Sequence, residues 1–138
     1  MENDEKRALE LLEKHAQKQI NDTEFLKEFG KTKVWYSTPF GDHRDGGQRL
    51  FLIPGPDKTG YLPVFSTEKR AIEFFEKAGR AGYMRINSDF HSVLETTSKV
   101  NKGKIPVKMG IIVDPGYYGI TVDVANLDAV IRMTGTDT

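Results

Sequence analysis

The sequence contains no cysteine in its 138 residues. Disulfide bonds and thiolate metal sites are therefore excluded, and nothing positive follows about the redox compartment. No run of about 18 apolar residues, the length that a membrane-spanning helix needs, is present either. The first six residues are polar and acidic, without the apolar segment of a secretory signal. We therefore expect a cytoplasmic protein that does not contact a membrane.

The short motifs of common catalytic sites are also missing, since neither GxSxG nor GxGxxG occurs. Gly30-Lys31-Thr32 matches the end of a phosphate-binding loop, but Phe25 stands where that loop requires a glycine. The three histidines, His15, His43 and His91, are far apart in the sequence. With histidines this scattered and no cysteine, we expect no tight zinc site.

Charge is balanced overall but unevenly distributed along the chain. Residues 1–30 carry a net charge of −3, residues 31–110 carry +6, and residues 111–138 carry −3. A protein that binds nucleic acid usually has a stronger and more focused basic excess, so we expect no specific binding of nucleic acid. The apolar fraction of 38% and the charged fraction of 29% are typical of a globular protein. Length and composition together predict a single domain over residues 1–138.

Hydrophobic periodicity predicts an α/β or α+β fold that starts with two helices. Expected helices cover residues 5–19, 23–29, 67–77, a segment capped by Ser88 or Asp89, and a segment that begins at Asp123 or Asn126. Expected strands cover residues 33–37, 48–53, 61–65, 83–86 and 109–113, which together make a mixed sheet of about five strands. The first two strands are expected to form a hairpin, and those after residue 61 to alternate with helices on one sheet. Pro63 indicates an edge position or a bulge, and residues 134–138 are expected to form a frayed tail.

The loop between the first two expected strands contains Asp42, His43, Arg44 and Asp45 between glycines. Two carboxylates, an imidazole and a guanidinium could support acid–base chemistry or weak metal binding. Aspartate and glycine are also what a tight turn requires. The sequence leaves both interpretations open.

Several segments from Leu9 onward carry a resemblance to a known family. They are the leucines of the first helix, the phenylalanines of the second, the extended segment 34–39, and the runs Leu62-Pro63-Val64-Phe65-Ser66-Thr67-Glu68 and Gly110-Ile111-Ile112-Val113-Asp114-Pro115-Gly116. The chain resembles the SseB amino-terminal domain family, the enhanced serine sensitivity proteins, whose signatures read LPVFTS and lviNPG. Asp114 stands where the family usually has asparagine. The resemblance implies one such domain over 1–138, a bacterial cytosolic accessory or interaction role, and no established enzymatic activity or cofactor.

The two signature runs also supply the candidate binding residues. Each run ends a predicted strand, and two parallel neighbouring strands would bring both turns to one sheet edge, where ligands of open α/β sheets usually bind. A helix that begins there directs free N–H groups and its positive dipole end toward an anion or a partner's carboxylate. The residues expected at this site are Ser66, Thr67, Arg70, Asp114 and Gly116. The charge of Asp114 would oppose an anion.

These observations favour a non-catalytic binding or regulatory module whose partner is another protein. Two alternatives stay open at this point. One is a small-molecule enzyme that uses Asp42, His43 and Asp45, which would need titratable groups that converge in a pocket. The other is an immunity-type protein that binds a toxin, because small single-domain α/β proteins often serve that role.

Overall fold

The computed structural model describes residues 2–135. Within this range the chain forms five α-helices: α1 Glu2–Ala16, α2 Asp22–Phe29, α3 Glu68–Lys77, α4 Phe90–Asn101 and α5 Leu127–Thr134. It also forms eight strands: β1 Lys33–Tyr36, β2 Phe40–Asp42, β3 Gln48–Leu50, β4 Ile53–Pro54, β5 Thr59–Val64, β6 Ile86–Asp89, β7 Lys108–Val113 and β8 Ile120–Val122. A 3-10 turn at Val124–Asn126 precedes α5. The expected frayed tail at residues 134–138 is wrong for Thr134, which is buried and ends α5, and residues 136–138 lie outside the described range.

A mixed sheet of four strands has the order β4-β5-β7-β8. Strands β5 and β7 are parallel neighbours, while β4 and β8 run antiparallel at the two sides. Strand β1 pairs with β6 and β2 pairs with β3, both antiparallel. Trp35 and Phe65 exchange two backbone hydrogen bonds of 2.8 Å, which attach β1 to the residue after β5. The predicted α+β fold with a mixed sheet and a two-helix start is confirmed.

The expected hairpin between residues 33–37 and 48–53 is wrong. Strand β3 pairs instead with β2, which lies inside the loop that we expected to be irregular. The side chains of this loop are polar and largely exposed. Exposure of the side chains does not prevent the backbone groups of β2 and β3 from forming hydrogen bonds with each other. Strand β1 carries the buried side chains of Val34 and Trp35, so it stays in the interior and pairs with β6.

After residue 61 the strands and helices alternate in the expected order, but they do not share one sheet. Strand β6 begins at Ile86, three residues later than expected, and pairs outside the four-stranded sheet. The earlier residues form a loop, in which the ring of Tyr83 packs on Phe75 with 4.9 Å between centroids. Strand β8 was not predicted at all.

Pro63 lies in β5, which has a neighbouring strand on each side, so the expectation that its strand is an edge strand is wrong. The paired residues of β4 end at the register Ile53↔Tyr61, and β1 meets the chain only at Phe65. Pro63 therefore lies between these two neighbours on that side of β5. Its missing N–H breaks no hydrogen bond of the sheet, which is the physical reason for which proline is tolerated at edges.

Two groups of buried side chains hold these elements together. The larger one joins α1, α2, α4 and α5 to the sheet and includes Leu12, Phe25, Phe29, Val64 and Ile111. The smaller one lies around α3 and contains Trp35, Phe51, Phe65, Ala71 and Phe75. Among residues 2–135, no helix combines the length and apolar character that crossing a membrane requires.

Candidate functional site

The two signature turns meet at one edge of the sheet. Because β5 and β7 are parallel and in register up to Val64↔Val113, the residues that follow each strand emerge side by side. The structure thus brings Ser66, Thr67 and Asp114 together at the amino-terminal end of α3. The condition on which the candidate site rested, parallel neighbouring strands, is met.

Asp114 lies at the centre of this edge and is fully buried. Its carboxylate accepts hydrogen bonds from the Ser66 backbone N–H at 2.8 Å and from the Ser66 hydroxyl at 2.6 Å. Arg70 Nη1 donates to the same carboxylate at 2.8 Å. The donors that the sequence offered to an external anion are therefore used by the protein's own carboxylate. A buried charge with three donors stabilises this junction of two turns.

The amino-terminal end of α3 is further occupied by two side chains. Thr67 Oγ1 accepts from the Arg70 backbone N–H at 3.2 Å, so the expected helix cap is confirmed. Glu5 Oε2, from α1, accepts from the backbone N–H of Glu68 at 3.0 Å and from the Trp35 indole at 3.0 Å. Nothing in the sequence pattern indicates that Glu5, 63 positions before Glu68, accepts a hydrogen bond at this helix end.

Gly116 does not join this network. Its φ of +89° suits a turn glycine, and no atom lies within 4 Å of the position that a Cβ would occupy. The turn instead presents two tyrosines that sequence reasoning missed. Their only sequence signal is the adjacent aromatic pair that follows Asp114-Pro115-Gly116.

Tyr117 covers Arg70, with the guanidinium carbon 4.0 Å from the ring centroid. The Tyr117 hydroxyl donates to Glu73 at 3.3 Å, and the Tyr118 hydroxyl donates to Glu13 at 3.0 Å. Burial, followed by the hydrogen bond to Glu13, raises the pKa of Tyr118. Tyr117 stays 56% exposed although its ring is held by Arg70. We call this surface the tyrosine face, comprising Glu13, Arg70, Glu73, Tyr117 and Tyr118.

The side chains of the polar loop form hydrogen bonds within the β2–β3 turn. Asp45 accepts a backbone hydrogen bond from Gly47 at 2.9 Å, and this bond, ahead of the charges of Arg49 and His43, lowers the pKa of Asp45. His43 Nδ1 accepts from the Asp45 backbone N–H at 3.1 Å. The backbone carbonyl of Asp42 accepts from Ala81 at 2.8 Å. In the part of the chain that the structure describes, no group of three or more His, Cys, Asp or Glu could hold a metal ion.

A cleft of about 860 Å³ lies at the carboxyl end of α3, and neither the polar-loop residues Asp42, His43 and Asp45 nor Asp114 line it. Four basic residues and one acidic residue contribute to its wall: Arg44, Lys77, Arg80, Arg85 and Glu76. We call it the basic cleft. Sequence reasoning did not single out this site, because its residues come from separate segments, the β2–β3 turn, α3 and the loop after α3.

Arg80 is the unusual member of the basic cleft, since it is only 6% exposed. Its Nη2 donates to the Phe40 carbonyl at 3.0 Å and lies 3.3 Å from Thr38 Oγ1, while Nε and Nη1 are buried without a hydrogen-bond partner. The guanidinium carbon lies 4.6 Å from the ring centroid of Phe51 and 5.0 Å from that of Phe75. Burial lowers the pKa of this guanidinium. A single arginine in a loop carries no sequence signal for such burial.

The fold and these surfaces define a small α+β protein with two candidate binding surfaces beside α3, the tyrosine face and the basic cleft. The family model of the SseB protein N-terminal domain matches residues 6–129. The chain therefore belongs to the SseB N-terminal domain family, and the predicted resemblance is confirmed. No curated protein and no solved structure matches the chain.

Proposed function

We propose that this chain is a non-catalytic, cytoplasmic protein-binding module that takes its partner on the tyrosine face. The observation that carries the proposal is the exposed ring of Tyr117, held in place over Arg70. Tyrosine and arginine are among the residues that contribute most to protein interfaces. A ring that is already fixed loses little conformational freedom when a partner binds, so more of its contact energy contributes to affinity.

The network below the tyrosine face gives it a rigid support. Arg70 is ion-paired with the buried Asp114, which also accepts from Ser66. The Asp114 backbone carbonyl accepts hydrogen bonds from the backbone N–H groups of Tyr117 and Tyr118 at 2.9 and 3.1 Å. One buried residue thus positions both the arginine and the two tyrosines. This role explains why Ser66, Arg70 and Asp114, three of the predicted binding residues, contact each other.

Charge favours a partner that presents lysine or arginine side chains. Asp114 neutralises Arg70, and the carboxylates of Glu13 and Glu73 then leave the face with an excess of negative charge. A cation of the partner can stack on the free side of the Tyr117 ring and also reach Glu73. Opposite charges across an interface increase association rates and select between partners.

The test is capture of a partner from native cells with the tagged full chain, followed by titration of the purified partner. We expect Tyr117→Ala to weaken binding at least about tenfold, which corresponds to about 1.4 kcal/mol. Glu73→Arg should weaken it as well, and the wild-type affinity should fall as salt rises. Phe40→Ala is the matched control, because Phe40 is also a 56% exposed aromatic residue but lies elsewhere.

Equal losses with Tyr117→Ala and Phe40→Ala would contradict the proposal. So would a partner whose binding is insensitive to both Tyr117→Ala and Glu73→Arg, since that partner would use another surface.

A further inference from the structure

We propose that the basic cleft is a second binding site, independent of the tyrosine face, and that it takes a small phosphate ester. Its phosphate would lie among Arg44, Lys77 and Arg85, with Arg80 facing it from the wall. No residue of the tyrosine face contributes to this cleft. Because the two sites share no residue, each can be tested with its own substitutions.

The first argument is the excess of positive charge. Four basic side chains and one carboxylate, that of Glu76, line the cleft, and Arg85 is ion-paired at 2.9 Å with Glu68, which lies outside the lining. Arg44 donates to the backbone carbonyl of Glu76 and not to its carboxylate. The Lys77 side chain makes no hydrogen bond or ion pair with any residue in the range 2–135. Among residues 2–135, Arg44, Lys77 and Arg80 therefore have no carboxylate that neutralises them, whereas Arg85 is paired with Glu68.

The second argument is the buried guanidinium of Arg80. A buried charge is costly unless it is paired, and the described residues supply Arg80 with no carboxylate within ion-pair distance. The aromatic rings of Phe51 and Phe75 offset part of this cost through cation–π contact. Two of its three nitrogens still lack an acceptor. An oxyanion in the cleft would supply the missing negative charge.

The backbone around Arg80 is shaped to hold the guanidinium in place. A Cβ at Gly41 would lie 2.6 Å from both Nε and Nη2, so only glycine leaves room for the group at this position of β2. On the other side, Tyr83 contributes its ring to the cleft and lies 5.6 Å from the guanidinium carbon. The segment 81–85 that carries Tyr83 has no helix or strand. A shift of this segment would open a path from the cleft to the covered nitrogens.

The chemistry of the cleft favours a phosphate ester over other anions. A phosphate with two charges matches Arg44 and Lys77, with the guanidinium of Arg80 beside them, better than a carboxylate with one charge does. Guanidinium groups also bind phosphate through paired hydrogen bonds. The volume of about 860 Å³ exceeds what a phosphate alone would fill. Ile72 and Tyr83 provide apolar and aromatic wall for an organic group attached to the phosphate.

The experiment is a calorimetric titration of the full chain with phenyl phosphate, inorganic phosphate and benzoate at constant ionic strength. We expect phenyl phosphate to bind at least about tenfold more tightly than either of the others, because only it combines the dianion with a ring. Lys77→Ala should weaken its binding about tenfold. Lys104→Ala removes the same charge from an exposed residue outside the cleft and should leave binding unchanged.

Arg80 is tested without a substitution that could unfold the protein. In a ¹⁵N NMR titration, phenyl phosphate should shift the Nε–H signal of Arg80 together with those of Arg44 and Arg85. A titration that shifts Arg44 and Arg85 but not Arg80 would overturn the role of Arg80. Equal weakening by Lys77→Ala and Lys104→Ala would show non-specific attraction and overturn the site.

The ligand class is tested by the same titrations. If benzoate bound as tightly as phenyl phosphate, the choice of phosphate would be overturned. If inorganic phosphate bound as tightly as phenyl phosphate, the choice of an ester would be overturned. Tyr117→Ala should leave phenyl phosphate binding unchanged, so failure of this proposal is distinguishable from failure of the protein-binding proposal.

Discussion

The carboxylate of Asp114 accepts hydrogen bonds from both the backbone N–H and the hydroxyl of Ser66, at 2.8 and 2.6 Å. The two residues are 48 positions apart in the sequence and follow the parallel strands β5 and β7. Both are fully buried. This contact converts two separate turn sequences into one junction, and it explains why polar residues stand at the ends of two buried strands.

Replacement of Asp114 should be strongly destabilising when the acceptor is lost. Asp114→Ala leaves the Ser66 N–H and the Arg70 guanidinium without their partner and places alanine at a φ of +49°. We expect the free energy of unfolding to fall by about 3 kcal/mol in urea denaturation. Asp114→Asn keeps an acceptor and tolerates this φ, so it should cost only about 1 kcal/mol. Equal losses for the two variants would show that the hydrogen bonds to Ser66 contribute little.

Replacement of Glu5 should loosen the contact of α1 with β1 and α3. Glu5→Ala leaves the Trp35 indole N–H and the Glu68 N–H without an acceptor, at a cost of about 1–2 kcal/mol. Trp35 is the single tryptophan, so its fluorescence during urea denaturation reports this change directly. Glu10→Ala, an exposed change on the same helix, is the control and should stay within about 0.5 kcal/mol of wild type.

Replacement of Gly41 should disturb the Arg80 guanidinium. The Cβ of Gly41→Ala would lie 2.6 Å from Nε and Nη2, and Arg80 is packed between aromatic rings that limit its movement. We expect a loss of about 1–3 kcal/mol in thermal or urea denaturation. Gly82 lines the same cleft, but a Cβ added there would have no neighbouring atom within 4 Å. Gly82→Ala should therefore leave the free energy of unfolding nearly unchanged. A neutral Gly41→Ala would mean that the guanidinium moves aside without cost.

The β2–β3 hairpin should lose stability in acid because of Asp45. The Gly47 N–H holds the folded pKa of Asp45 below that of the unfolded chain, which is about 4. The carboxylate therefore stabilises the hairpin above about pH 4, and this contribution is lost as the pH falls through the lower folded pKa. Backbone amide signals of Gly47 and Gln48 should report the change in an NMR pH titration. Asp45→Asn keeps an acceptor for the Gly47 N–H but cannot titrate, so it should remove this pH dependence. If the amide signals of the Asp45→Asn variant changed with pH as those of the wild type do, the role of Asp45 would be contradicted.

Local features were predictable from the sequence because they depend on neighbouring residues. The apolar spacing around Leu12 and Phe25 marks the two first helices, and the caps Thr67 and Asp89 mark the starts of α3 and α4, where each side chain accepts a backbone hydrogen bond. The alternation of strands and helices after residue 61 follows from the same local signals. The family resemblance depends on the same segments.

Contacts between distant segments were decided only by the tertiary structure. Whether β1 pairs with β3 or with β6 depends on which surfaces are buried, and a loop as polar as residues 38–47 can still form a strand when a partner is beside it. The sequence placed Ser66 and Asp114 at strand ends, but their burial as a bonded pair follows from the parallel register of β5 and β7. The burial of Arg80 has no local signal, because the rings and the glycine that enclose it come from three separate segments. Spacing along the chain determines secondary structure, whereas the free energy of packing determines which side chains meet.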